Sequence, residues 1–250
     1  MFHSNYSFSP KKIQPIIKYL ALTIATFSIF FTLIAPFIKI NFPLFLLLSK
    51  LGISKGLIYQ FISCFFVTFE YGLSLGFLVK LMFCLYIIWI AGENLIVNTS
   101  KIQFAIFYFG CGIFSSLAAY LVEFLGYPLY LHSGLSCLVF GLLTSWMMFN
   151  TTSQIILFFS LRIPIKWLVS ATIGISLLSD FSRSDFVSFF ATLAAIIFSY
   201  FFTLIVWKMR SPFNFLQKFE IKLLNIFYSN LFKTKTKIYD FKTGKSLNDS

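Results

Sequence analysis

Ser136 is the residue of this chain best placed for nucleophilic chemistry. It lies in GLSCLVFGLL, Gly134 to Leu143, inside a run from Phe124 to Leu161 that carries no charged residue. Its hydroxyl therefore faces lipid, a neighbouring helix or a buried cavity. A serine becomes a nucleophile when an adjacent base takes its proton. The blander alternative is a packing face. Gly134, Ser136 and Gly141 recur on nearly one side of a helix, which lets another helix approach closely, and a lone hydroxyl in such a helix commonly bonds back to its own backbone. His132 precedes Ser136 by four residues, one turn if the helix starts early; otherwise it sits in the preceding loop at the water interface. Cys64, Cys84, Cys111 and Cys137 all lie in apolar sequence with no paired spacing, which argues against metal and disulfide roles and implies no cofactor.

These groups need a scaffold, and composition decides which kind. With 58% hydrophobic and 11% charged residues and a mean hydropathy of +0.86, the chain cannot cover a soluble globule with polar surface. It reads as an integral membrane protein. A bilayer span needs roughly 20 apolar residues. Tyr19–Ile38, Ile102–Val122 and Phe186–Trp207 meet that length between charged flanks, and Tyr71–Gly92 meets it with one interruption, Lys80. The uncharged run predicts a further helix over Ser133–Phe149 ending at a polar turn, Asn150 to Ser153. A sixth, Ile163–Ser179, begins among Arg162, Pro164 and Lys166. The expectation is an all-α, polytopic bundle of six transmembrane helices over 19–207, between a short N-terminus (1–18) and a basic tail (208–250). In the 40–69 connection Phe42–Leu48 is apolar with Pro43 inside it and Gly56–Thr68 is apolar with Tyr59 and Gln60, each too short to cross, so the segment should lie in the outer interface or dip partway.

Charge sets the expected orientation. Lys11, Lys12 and Lys18 precede the first span without an acid, and 208–250 holds nine Lys/Arg against three Asp/Glu, which places both termini in the cytoplasm of a bacterial-type inner (plasma) membrane. Lys39, Lys50 and Lys55 then fall outside, against the trend. More apolar sequence follows Ala35-Pro36, so the first span is read as retained. The net charge of +12 is concentrated in the tail and at span flanks, which points to anionic lipid as the partner and away from nucleic acid. In the tail, Phe215, Phe219, Leu223, Ile226 and Phe227 recur at helical intervals with Lys218 and Lys222 between them, the pattern of an interfacial helix over Phe213–Phe232.

The order of the pieces resembles the rhomboid family of six-helix intramembrane serine proteases. That family's fourth helix begins with Gly-x-Ser-Gly, an apolar pair, an aromatic and a small residue; here the run is Gly134-Leu135-Ser136-Cys137-Leu138-Val139-Phe140-Gly141. Trp89-Ile90-Ala91-Gly92-Glu93 is similar to the end of its second helix. Gly56 to Phe69 resembles the approach to that helix, and Arg162 to Trp167 the start of its fifth. The likeness covers roughly 15–207 and implies Ser136 at the nucleophile position and transmembrane clients entering near the gap between the second and fifth helices.

The same comparison shows what is replaced. The family's base is a histidine in a His-x-x-Gly-x-x-x-Gly pattern on the sixth helix; counting back through Thr192 and Ser188 puts Asp185 there. Its oxyanion pair, His-x-x-x-Asn on the second helix, falls on Lys80 and Cys84. A carboxylate of pKa ~3.9 is a poor base beside an imidazole of ~6.5. A lysine within a span costs on the order of 3 kcal/mol, so Lys80 is expected either to pair with Asp185 beside Ser136 or to snorkel to the outer interface. The expected function is a catalytically impaired, pseudoprotease-like protein that binds transmembrane clients. The alternatives are an active serine endopeptidase in which Lys80 or His132 serves as an atypical base for Ser136, and a small transporter or channel built on a buried Lys80/Asp185 pair.

Overall fold

The computed structural model describes residues 14–34, 43–69, 72–124, 126, 132–151, 153–157, 161–213, 215–217, 219–222 and 224. Lys11, Lys12, Lys39 and the tail beyond 224 lie outside them. Contacts divide the chain into Met1–Pro212 and Phe213–Ser250. In the second unit, residues 215–217 and 219–222 are helical, and the expected interfacial helix is described only that far.

The first unit contains α1 (Pro15–Ile34), short α2 (Pro43–Leu46), α3 (Lys50–Ser54) and α4 (Gln60–Ser63), then α5 (Leu75–Asn98), α6 (Lys101–Phe124) and α7 (Leu135–Phe149). A strand pair, β1 (Gln154–Leu157) and β2 (Leu161–Pro164), precedes α8 (Ile165–Ser182) and α9 (Phe186–Ile205). This is an all-α, polytopic membrane architecture with one small hairpin. α1, α5, α6 and α9 are long and apolar enough to cross a bilayer.

Helix boundaries follow local chemistry. Pro15, whose missing N–H costs nothing in a first turn, opens α1. Ser74 caps α5 by accepting from the Phe77 N–H at 2.9 Å. α5 runs six residues past the expected end at Gly92 because Glu93 to Asn98 contain no breaker. Gly92 is instead a packing position, where a Cβ would meet Ile17 Cδ1 at 3.2 Å and the Phe104 ring at 3.4 Å. α8 begins two residues later than expected because Ile163 and Pro164 belong to β2, which pairs antiparallel with β1 (Ile155 opposite Ile163). The β-branched residues favour the strand, and Pro164 leads into the helix.

α7 is the centre of the bundle. Twelve of its fifteen residues are buried, and at 1.5 Å per residue it spans roughly 22 Å, short of the ~30 Å hydrocarbon layer. Small residues let α9 approach: a Cβ on Gly141 would come within 2.6 Å of Ser199 Oγ and 3.3 Å of the Ala195 carbonyl oxygen. Ser145 Oγ meets Thr203 Oγ1 at 2.7 Å, and Cys111 on α6 meets Ser199 at 3.4 Å. α8 is peripheral, with only Ile165 and Val169 buried.

Candidate functional site

The N-terminus of α7 is held by the 43–69 segment. The Gly134 N–H donates to the Cys64 carbonyl at 3.0 Å, and a Cβ on Gly134 would lie 3.3 Å from Cys64 Sγ. Further back, Leu48 and His132 exchange backbone hydrogen bonds of 3.1 and 2.9 Å. The Leu138 N–H makes the first α7 bond, to Gly134 at 3.0 Å, and Gly134 provides no side-chain cap. The amides of Leu135, Ser136 and Cys137 thus have no intrahelical acceptor, and the helix places partial positive charge there.

Ser136 is the second residue of α7 and is half-buried. Its hydroxyl makes no hydrogen bond among the described residues. This separates it from Ser115, Ser116, Thr144 and Thr172, each of which donates to a carbonyl three or four residues back at 2.9 Å. The back-bonded alternative does not hold for Ser136. Its neighbour Gly141 fulfils the packing role.

Asp185 and Lys80 do not converge on it. Asp185 is exposed and caps α9, accepting from the Ser188 N–H at 3.1 Å. Lys80 is exposed on α5, whose inner face is formed by Phe77, Leu81, Cys84 and Ile88. No ion pair joins Lys80 to Asp185 among the described residues. The expected closure of the cavity by this pair is therefore corrected, as is the buried pair on which a transporter or channel would rest. By helical phase Lys80 shares the face of Phe77 and Cys84, but it lies in the exposed early turns of α5, and Asp185 is held at the N-cap of α9. Cys84 is buried, on the inner face.

The structure brings together a group that the sequence did not single out. His132 lies in the loop before α7, not within the helix, and it is buried rather than at the water interface. Its Nε2 stands 3.8 Å from Cys137 Sγ, and Thr192 Oγ1 donates to the same sulfur at 3.4 Å. Burial pushes the His132 pKa down to about 4, opposed in part by Asp185. The five-residue spacing from His132 to Cys137 carries no helical signal, so only the path of the loop reveals the contact.

Toward the other end of α7, a cavity of about 310 Å³ opens between α5, α7 and α8, with Phe83, Tyr86, Ile90, Trp146, Leu168 and Thr172 among its lining residues. The Thr172 hydroxyl is satisfied by the Leu168 carbonyl at 2.9 Å, which leaves the wall apolar. At the end of α7, Asn150 donates to Asn94 Oδ1 at 3.1 Å and to the Trp146 carbonyl at 2.9 Å.

Compared with known proteins, the chain matches the family model of the Rhomboid domain over residues 55–209, from α3's end through α9. No curated protein matches it.

Proposed function

The chain belongs to the rhomboid family, and on that premise we propose that it binds transmembrane segments of client membrane proteins and is impaired as a serine protease. The observation that carries this reading is Ser136 itself, a hydroxyl with no hydrogen-bonded base among the described residues. Asp185 is committed to capping α9. If the buried pair Ala191 and Ala195 stands for the family's two glycines, the histidine position moves to Ser188, which is no base either. General-base loss alone removes a factor of ~10²–10⁴ in rate.

Client binding is supported by the apolar cavity between α5 and α8, the gap that the family resemblance implied. Its wall suits an apolar helix face and offers no charge to an ionic ligand. The basic flanks at 11–18 and 208–250 support an inner-membrane protein with both termini cytoplasmic. A second reading, an active endopeptidase using Ser136, is favoured by the three amides at the head of α7 that have no acceptor among the described residues and would receive an oxyanion.

Two measurements on the purified protein decide. A photo-crosslinker replacing Phe83 is expected to capture transmembrane helices, while the same group at exposed Ile106 of α6, away from the cavity, does not. Rhomboid-type substrates are expected to remain uncut. Cleavage that disappears in Ser136→Ala would establish the second reading and remove the first.

A further inference from the structure

The cavity between α5, α7 and α8 contains one donor that the fold leaves unsatisfied. Trp146 lines it and is only 8% exposed. Its carbonyl serves Asn150, but its indole N–H has no acceptor among the described residues. Trp207, by contrast, donates from the same atom to Gln103 Oε1 at 3.2 Å. A buried indole N–H ordinarily finds a partner, because leaving it without one forfeits its hydration for nothing in return. The Trp146 nitrogen is also not sealed in the way the unpartnered Tyr108 hydroxyl is. Its acceptor must therefore come from whatever fills the cavity.

We propose that this cavity binds an acyl chain of a bilayer glycerolipid, with the ester carbonyl at the head of that chain accepting from the Trp146 N–H. The volume of about 310 Å³ lies at the small end of the ~300–1,000 Å³ range of small-molecule sites. An indole donates and cannot accept, so the occupant must carry an acceptor. Water is a poor candidate because it needs 2–4 polar partners. The wall offers it one: the Thr172 hydroxyl is already bonded to the Leu168 carbonyl, and Tyr86 is an exposed side chain whose hydroxyl is not confined to the cavity. The absence of charge in the wall disfavours an ionic group there. An apolar chain ending in a neutral carbonyl meets both demands.

Depth agrees with this choice. Trp146 stands in the last turn of α7, one turn before Asn150, whose bond to Asn94 marks the polar end of the apolar span. That is close to the interface where tryptophan gathers and where the polar part of a lipid begins. The inference does not rest on client binding. A client segment entering the same gap displaces the chain.

The test uses the purified full chain in detergent micelles with a phosphatidylglycerol that carries a mid-chain diazirine. Unlabelled dioleoyl phosphatidylglycerol and its diether analogue compete; they share chain and headgroup, and only the first has carbonyls. After photolysis, peptide mapping is expected to place the label around Phe83 on α5 and Leu168 on α8, with the ester lipid competing ~3–10-fold better than the diether. Trp146→Phe, which keeps an aromatic ring but removes the N–H, should equalise the two competitors, and Trp89→Phe, outside the cavity, should not. Thr172→Phe, which fills the space from peripheral α8, should remove the label from both helices. Should Trp146→Phe fail to fold, the ratio of the two competitors on the wild-type chain decides together with Thr172→Phe. Equal competition on the wild-type chain, an ester preference that survives in folded Trp146→Phe, label that persists in folded Thr172→Phe, or label no denser there than around exposed Ile106 of α6 overturns the proposal. No client is present, so a failure here is separate from a failure of client capture.

Discussion

Lowering the pH should destabilise this protein through His132. In the folded chain the ring is buried and its pKa falls to about 4, whereas an exposed histidine titrates near ~6.5. Between those values the unfolded chain binds the proton and the folded chain does not, so stability is full above about pH 6.5 and is lost as the pH falls toward 4. A difference of ~2.5 units corresponds to a limiting loss of about 3 kcal/mol, of which about 2 kcal/mol is spent by pH 5. The neighbours that bear on the ring are Asp185, which supports the charged form, and Lys80, which opposes it; Cys137 Sγ is the contact at Nε2. Denaturant titrations in micelles at pH 7.5 and 5 measure the effect, with His132→Gln as the comparison because it cannot take up the proton. The wild-type chain should lose about 2 kcal/mol more than the variant between the two pH values. Equal losses would refute the reasoning and place His132 in contact with water.

Gly141→Ala puts a Cβ within 2.5 Å of Cys111 Sγ and 2.6 Å of Ser199 Oγ, and should cost ~1–3 kcal/mol by overpacking; Ser199→Gly in the same chain should restore part of it, which thermal melts in detergent will show. Because Lys80 and Asp185 are both exposed, Lys80→Met and Asp185→Leu should add within ~0.5 kcal/mol, with Asp185→Leu alone losing about 1 kcal/mol from the α9 cap. Strong coupling between the two would restore the ion pair. Cysteine tags at Ser4 and Ser246 should label only from the cytoplasmic side, as the basic flanks require.

What the sequence made legible was set by length and composition, and what it hid was set by rotation and by loops. Four membrane-length helices, the close-packing role of Gly141 and the rhomboid likeness all follow from runs and spacings along the chain. Whether Lys80 is exposed depends on what packs around the early turns of α5, and that is fixed only once the helices have assembled. In a uniformly apolar span the periodicity that would reveal it is nearly erased, since lipid and core demand the same residues. The hairpin at 154–164 escaped for a related reason: four-residue strands within an apolar stretch look like the edge of a helix. The meeting of His132 with Cys137 depends on a backbone bridge to Leu48, more than eighty residues earlier in the chain. The Cys137 sulfur lies between the His132 ring at 3.8 Å and the Thr192 hydroxyl at 3.4 Å, so three residues from a loop and two helices meet at a point that no spacing along the chain announces.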